Sequence, residues 1–103
     1  MSLRLPTGTG RRDERALNAI ESVVVAEKAA SLGLAGQRLT GALAALEAAA
    51  DVDDREHLID QAADRAWAFL IQRELCGLRD RAQVIADYRI PKGVLARMGA
   101  ARR

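Results

Sequence analysis

Histidine and cysteine are almost absent from this sequence: His57 and Cys76 are the single residues of each kind among 103. One cysteine excludes an intramolecular disulfide, and catalysis by a Ser-His-Asp or Cys-His arrangement would depend on His57 alone. If one helix joins His57 to Cys76, about 28 Å separates them, so they form no dyad within a chain. No second histidine or cysteine stands at metal-ligand spacing. We therefore predict a protein that is not an enzyme, with no catalytic residue, metal site or cofactor.

Long apolar runs and aromatic residues are scarce too. No stretch approaches the roughly 18 consecutive apolar residues of a membrane span, and residues 1–15 lack the apolar centre of a secretory signal. We expect no membrane contact and a cytoplasmic location, where a lone cysteine stays reduced. Only Trp67, Phe69 and Tyr88 are aromatic. A core made mainly of alanine and leucine favours close helix packing, and so small a domain often adds self-association.

The apolar residues that are present recur at helical spacing and predict five helices. The first is expected over residues 13–32, with Leu17, Ile20 and Val24 at helical spacing and Gly33 at its end, and the second over residues 36–50. A tight turn at residues 33–36 would make them a helical hairpin, whereas a bend would leave one long kinked rod. We favour the hairpin. A third helix over residues 54–75 begins at an acidic cap, Asp51 or Asp53, and is apolar around much of its circumference. Short helices follow over residues 80–88 and 91–98.

The predicted fold is all-α, a small helical bundle in which the hairpin packs on the long central helix and the two short C-terminal helices close it. Pro6, Gly8 and Gly10 predict a flexible N-terminal arm over residues 1–12. Residues 13–99 are expected to form a single helical domain, and residues 100–103 a frayed C-terminus.

Charge is unevenly distributed. Residues 51–75 carry three Lys or Arg against seven Asp or Glu, and residues 76–103 carry seven against two. We favour pairing of these segments within the fold, with the arginines near Gly77 latching the turn between helices onto neighbouring carboxylates. The basic segment also supplies the candidate contacts to an anion or a partner, which are Arg79, Arg81, Arg89, Lys92 and Arg97.

Residues 82–99 contain the sharpest functional alternative, a degenerate helix-turn-helix. They are expected to form a helix, a short turn and a second helix begun by Pro91, with Lys92 and Arg97 facing outward. Two positions fit poorly, since the motif wants a small residue at Ile85 and a glycine at Arg89. Nucleic-acid binding through Arg89, Lys92 and Arg97 is therefore the alternative to a simple helical corner.

The apolar faces of the long helices suggest a homodimer, with the Leu/Ala seam of the first or of the second helix as the expected interface. Leu39, Leu43 and Leu46 follow one another at helical spacing beside alanines and glycines that allow close approach. Together with Trp67 and Phe69, they are the predicted interface residues, because large aromatics dominate protein interfaces. The preferred function is a non-enzymatic interaction or structural module with an unknown protein partner.

Two motifs also carry a family resemblance. QRExCGLRD at residues 72–80 and YxIPxxVLxRxG at residues 88–99, with the alanine-rich segment before them, resemble a family of short bacterial proteins of unknown function. The likeness spans residues 16–99. It implies a small, all-helical protein of the bacterial cytoplasm, and it implies no activity, cofactor or catalytic residue.

Overall fold

The computed structural model describes the backbone of residues 7–101 and the side chains of residues 12–100. Within this range the chain forms four helices and no strand: α1 (Thr7–Ala48), α2 (Val52–Leu75), α3 (Arg81–Tyr88) and α4 (Lys92–Ala101). The predicted all-α bundle is confirmed. The flexible arm predicted for residues 1–12 falls in part on residues 1–6, which lie outside the described residues, and α1 begins at Thr7, ahead of the start expected at Asp13. Residues 102 and 103 of the predicted frayed end also lie outside.

The hairpin predicted at residues 33–36 is wrong, because α1 continues through Gly33 and Gly36 as one helix of 42 residues. Each glycine weakens a helix by about 1 kcal/mol relative to alanine. Packing outweighs that loss, since Leu39 and Leu46 beyond the glycines are 0% and 3% exposed, and burying such a side chain contributes about 1.5–3 kcal/mol. The face from Leu32 to Leu46 stays in phase across both glycines, so this part of α1 presents one side to α2.

The true hairpin turn lies at residues 49–51, between α1 and α2. Asp51 begins α2 as its N-cap, and its carboxylate accepts a hydrogen bond from the Asp53 N–H at 3.0 Å. Arg55 donates back to the Leu46 carbonyl at 3.3 Å, which places a cation at the C-terminal end of α1. Both helix ends at this turn are thus satisfied, and α2 returns antiparallel along α1.

Gly77 ends α2, as predicted, in the left-handed region at φ 82°. The Gly77 N–H donates to the Glu74 carbonyl and the Leu78 N–H to the Arg73 carbonyl, both at 2.9 Å. This pair of bonds is the Schellman arrangement, which satisfies carbonyls that the helix end leaves open. Asp80 then caps α3 by accepting from the Gln83 N–H at 3.0 Å.

The core lies around α2, which confirms the central position predicted for this helix. Helix α1 packs along it and α4 packs across it. The largest fully buried side chains are Leu39 of α1, Val84 of α3 and Val94 of α4. The other buried apolar residues are Leu46, Ala62, Ala63, Ala66, Phe69, Leu70, Ile90 and Met98. Leu32 and Ala35 of α1 pack against this core from its edge, and among the described residues the side chains of 12–31 are all exposed and add nothing to it.

Candidate functional site: the exposed half of helix α1

Helix α1 is much longer than its partner. Its 42 residues extend about 63 Å, whereas the 24 residues of α2 extend about 36 Å. Every side chain from Arg12 to Ser31 is exposed, and we call residues 12–31 the α1 arm. The molecule measures 74 × 25 × 21 Å with a radius of gyration of 20.7 Å, against about 13 Å for a compact chain of this length. The N-terminal part of the arm therefore projects beyond the bundle, whereas Val25, Lys28 and Ala29 lie beside Leu75 and Cys76 at the end of α2.

The α1 arm is rich in large apolar side chains. Of the large hydrophobic residues that the described chain exposes, five lie within nine positions of this arm: Leu17, Ile20, Val23, Val24 and Val25. Their exposed fractions run from 42% at Val24 to 66% at Val25. Concentrated exposed apolar surfaces of this kind are typical of protein interaction sites.

The helical spacing of the apolar residues in the arm is evident from the sequence, but their exposure to solvent is not. The spacing of Leu17, Ile20 and Val24 does predict a helical face, but the hairpin would have folded that face against the central helix. The signal that identifies the arm is length, because α2 is too short to cover a continuous α1 whose apolar phase runs through Gly33. Periodicity alone does not show which part of a face is covered.

The predicted interface residues lie mainly in the core of the chain itself. Leu39, Leu46 and Phe69 are at most 4% exposed, so they offer a partner no surface, and their assignment to an interface is corrected. Leu43 and Trp67 are half-buried against the same core. The Leu39–Leu46 seam packs on α2 because the hairpin turn lies at residues 49–51, not at Gly33.

Arg81 latches the turn between α2 and α3. Its guanidinium contacts the Glu74 carboxylate at 2.7 Å and lies 5.9 Å from the centre of the Trp67 ring. Both contacts join α3 to the last two turns of α2. The structure therefore uses Arg81 as the internal latch that the sequence predicts, and its charge is already paired.

Arg97 is also paired within the chain. It projects from α4 and contacts two carboxylates one turn apart on α2, Glu56 at 2.6 Å and Asp60. The hydrogen bonds to Glu56 and Asp60, together with the charge of Asp60, raise the pKa of the Arg97 guanidinium. A raised pKa means that the fold holds this proton more tightly than the unfolded chain does. The resulting stabilisation is present below arginine's ordinary pKa and is lost only as pH rises through the raised value.

Three basic candidates remain exposed. Arg79, Arg89 and Lys92 form no ion pair with another described side chain. Arg89 adopts φ 52° and ψ 51° between α3 and α4, a left-handed conformation that is unusual for arginine. The Ile90 N–H donates to the Ile85 carbonyl at 3.1 Å, and this bond closes the end of α3. The structure brings Arg89 and Lys92 to one corner but gives Arg97 a different role.

A shallow apolar groove of about 590 Å³ runs beside the buried Gly36, where α1 meets Phe69 and Tyr88. The Phe69 and Tyr88 rings pack at 5.0 Å between centroids with a tilt of 58°. A Cβ on Gly36 would stand 3.0 Å from the Tyr88 hydroxyl and 3.2 Å from the Phe69 ring. Gly36 therefore allows α1 to approach these two rings.

His57 and Cys76, the single histidine and the single cysteine, lie at opposite ends of α2. His57 is exposed and shares a 3.2 Å hydrogen bond with Gln61 one turn along α2. Cys76 is half-buried at the opposite end of this helix. Across the described residues no group of three or more His, Cys, Asp or Glu side chains is placed to hold a metal ion. In the same range, none of the helices combines the length and apolar character needed to cross a bilayer.

Comparison with known proteins places the chain in a family. The profile of a family of unknown function, DUF6665, matches residues 2–103. The chain belongs to DUF6665. This membership confirms the resemblance to a family of unknown function, and it assigns no activity to this chain. Searches of the curated proteins and of the solved structures gave no significant match.

Proposed function

We propose that this DUF6665 protein is a non-enzymatic interaction module that works as a homodimer, assembled through the α1 arm. The observation that carries the proposal is the exposure of Leu17, Ile20, Val23, Val24 and Val25 along a helix that extends past its own bundle. Association is the ordinary way in which such a surface is removed from water.

The amount of exposed surface supports the same conclusion. The chain exposes 7775 Å², whereas a compact monomer of 11.1 kDa exposes about 5,700 Å². The difference is roughly 2,000 Å² for each chain. Stable protein interfaces bury about 1,200–2,000 Å² in total over both partners, so the surplus is large enough for a dimer.

The charge of the arm argues against a membrane surface as its binding partner. Residues 12–31 contain Arg12, Arg15 and Lys28, but four acidic residues accompany them. Helices that lie on anionic membranes are rich in Lys and Arg on their polar face. An arm with more acidic than basic residues is not attracted to such a surface. We further propose that the protein acts in the bacterial cytoplasm, in line with its lone cysteine.

A substitution in the arm tests the proposal. Val24→Asp would place a carboxylate in the apolar contact, where burial of an unpaired charge is strongly unfavourable. We expect the unmodified protein to have twice the chain mass by light scattering at micromolar concentrations, and Val24→Asp to have the monomer mass. Ser22→Asp is the matched control, because residue 22 lies on the opposite side of the same helix turn and this variant should remain dimeric. A monomeric unmodified protein at all concentrations would refute the proposal.

Nucleic-acid binding at residues 82–99 is the second candidate. It is favoured by Arg89, which occupies the left-handed turn position where the motif has glycine, and by the exposed Lys92 beside it. It is weakened by Arg97, which is paired with α2. This candidate predicts binding to random duplex DNA that weakens steeply with salt and falls in an Arg89→Ala, Lys92→Ala variant. No binding at low salt would exclude it.

A further inference from the structure

The α1 arm has a line of exposed residues on one side. Asp13, Leu17, Ile20 and Val24 follow one another at intervals of four, three and four residues, and Leu34 and Arg38 continue along the same side. All six side chains are exposed. We call this line the α1 strip. It begins with an acidic residue, ends with a basic residue and is apolar at Leu17, Ile20, Val24 and Leu34. Two polar residues, Glu27 and Ser31, lie on the same line between Val24 and Leu34.

The ends of the strip carry opposite charges, Asp13 at one end and Arg38 at the other. Neither Asp13 nor Arg38 forms an ion pair with another described side chain. A second copy placed parallel and in register would bring Asp13 against Asp13 and Arg38 against Arg38. A second copy placed antiparallel brings opposite charges together. The charge pattern of the strip therefore favours the antiparallel orientation.

We propose that two copies pair antiparallel along the α1 strip, with residue i of one chain opposite residue 51−i of the other. This inference rests on the homodimer proposed above. Asp13 then lies opposite Arg38 of the second copy, and Leu17 lies opposite its Leu34, each pair occurring twice about a two-fold axis between residues 25 and 26. This arrangement is isologous, because the same patch is used on both chains and the assembly closes at two.

The pairing also accounts for the length of the arm. The contact between residues 13 and 38 extends about 38 Å along α1. Residues that reach beyond α2 of their own chain lie along α1 of the second copy, so each arm is covered by the other chain. Glu27 lies close to the axis in both copies, and like charges there oppose association. Glu27→Gln is therefore expected to tighten the dimer by a few-fold.

Distances between spin labels test the orientation. Single cysteines replace Arg15 or Ser22 in a Cys76→Ser background, and pulsed electron resonance measures the distance between the two copies of each label. Antiparallel pairing separates the Arg15 positions by about 31 Å along the axis and the Ser22 positions by about 10 Å. The distance for Arg15→Cys should thus exceed that for Ser22→Cys by more than about 10 Å. Equal distances at the two positions would overturn the antiparallel orientation and leave the homodimer standing.

Charge reversal tests the register. Asp13→Arg places two cations opposite each other twice in the dimer, and we expect its dissociation constant to rise about two- to tenfold at low salt. Asp13→Arg combined with Arg38→Asp restores both pairs in reversed sign and should restore the affinity. A double variant as weak as Asp13→Arg would refute this register even if the labels report antiparallel chains. A monomeric unmodified protein would instead refute the proposed function together with this inference.

Discussion

Gly36 gives the sharpest test of how α1 packs. The continuous helix brings this position against Phe69 and Tyr88, so the packing requires a residue without a side chain. Gly33, one turn earlier, has nothing within 4 Å of an added Cβ, and the same is true of Gly41. The three glycines lie in one helix and differ only in what stands beside them. Gly36→Ala and Gly33→Ala therefore form a matched pair.

The magnitudes follow from two opposing effects. Alanine is about 1 kcal/mol more favourable than glycine inside a helix, so Gly33→Ala should raise the free energy of unfolding by up to that amount. Gly36→Ala gains the same helix propensity. Its Cβ, however, meets the Tyr88 hydroxyl at 3.0 Å and the Phe69 ring at 3.2 Å. Overpacking of this kind typically destabilises by about 1–3 kcal/mol. We expect Gly36→Ala to lie about 1–3 kcal/mol below Gly33→Ala.

Urea denaturation followed by circular dichroism measures the difference. Both variants must be compared at one protein concentration, because the proposed dimer would make apparent stability depend on concentration. Gly33→Ala also tests whether α1 is continuous at this position. If the chain turned at Gly33 with a positive φ, alanine there would destabilise. Two results refute the reasoning: a loss of stability in Gly33→Ala, or an equal gain of stability in both variants.

Three other substitutions test the turn at Arg89, the N-cap of α2 and the ion pairs of Arg97. Arg89→Gly should stabilise the fold by about 0.5–1 kcal/mol, because glycine adopts the left-handed conformation without the steric penalty of a side chain; a lower urea midpoint would count against the assigned φ. Asp51→Ala should lower the free energy of unfolding by about 1 kcal/mol because it removes the N-cap of α2, whereas Asp51→Ser should keep most of the stability that the cap provides. Equal losses of stability in the two variants would speak against capping. Arg97→Met should lower the melting temperature at low salt, and the loss should shrink as salt screens the pairs with Glu56 and Asp60. A loss that persists undiminished at 1 M salt would assign Arg97 a packing role instead.

Helix ends were the most predictable part of this fold. The Asp51 cap, Gly77 in the left-handed region and the stop before Pro91 each follow from local chemistry, since a cap or a turn depends on a few adjacent residues. The charged latch at Arg81 was predictable for the same reason, because Glu74 lies only seven positions away. None of these features needs a partner that is distant in sequence.

Gly33 is a local signal for a helix end that the fold does not follow. A glycine after an apolar run resembles a helix end, but the same residue is tolerated inside a helix when both flanking segments pack on one partner. Packing on α2 decides between the two outcomes, and α2 is distant in sequence. Gly36 adds a second reason, since its small size is used for close approach to Phe69 and Tyr88 and not for a turn.

The candidate site could be predicted only in part. The apolar spacing of Leu17, Ile20 and Val24 identified a helical face but not its exposure, because exposure depends on how far α2 reaches. The charge pattern predicts that the basic C-terminal segment pairs with the acidic segment before it, and Arg97 does pair with Glu56 and Asp60 on α2. The pattern does not show which of the basic residues is the paired one. Assigning a partner to a charge requires knowing which helices touch.

Hydrogen exchange at two protein concentrations tests most directly whether the α1 arm is the surface through which copies associate. All side chains of residues 12–31 are exposed in the single chain, although Val25, Lys28 and Ala29 lie beside Leu75 and Cys76 at the end of α2. The amides of this segment should therefore exchange quickly when the protein is dilute. At concentrations that favour the dimer, their exchange should slow markedly, while amides of α2 around Ala62 and Ala66 stay protected throughout. Exchange in residues 12–31 that does not change with concentration would contradict the account.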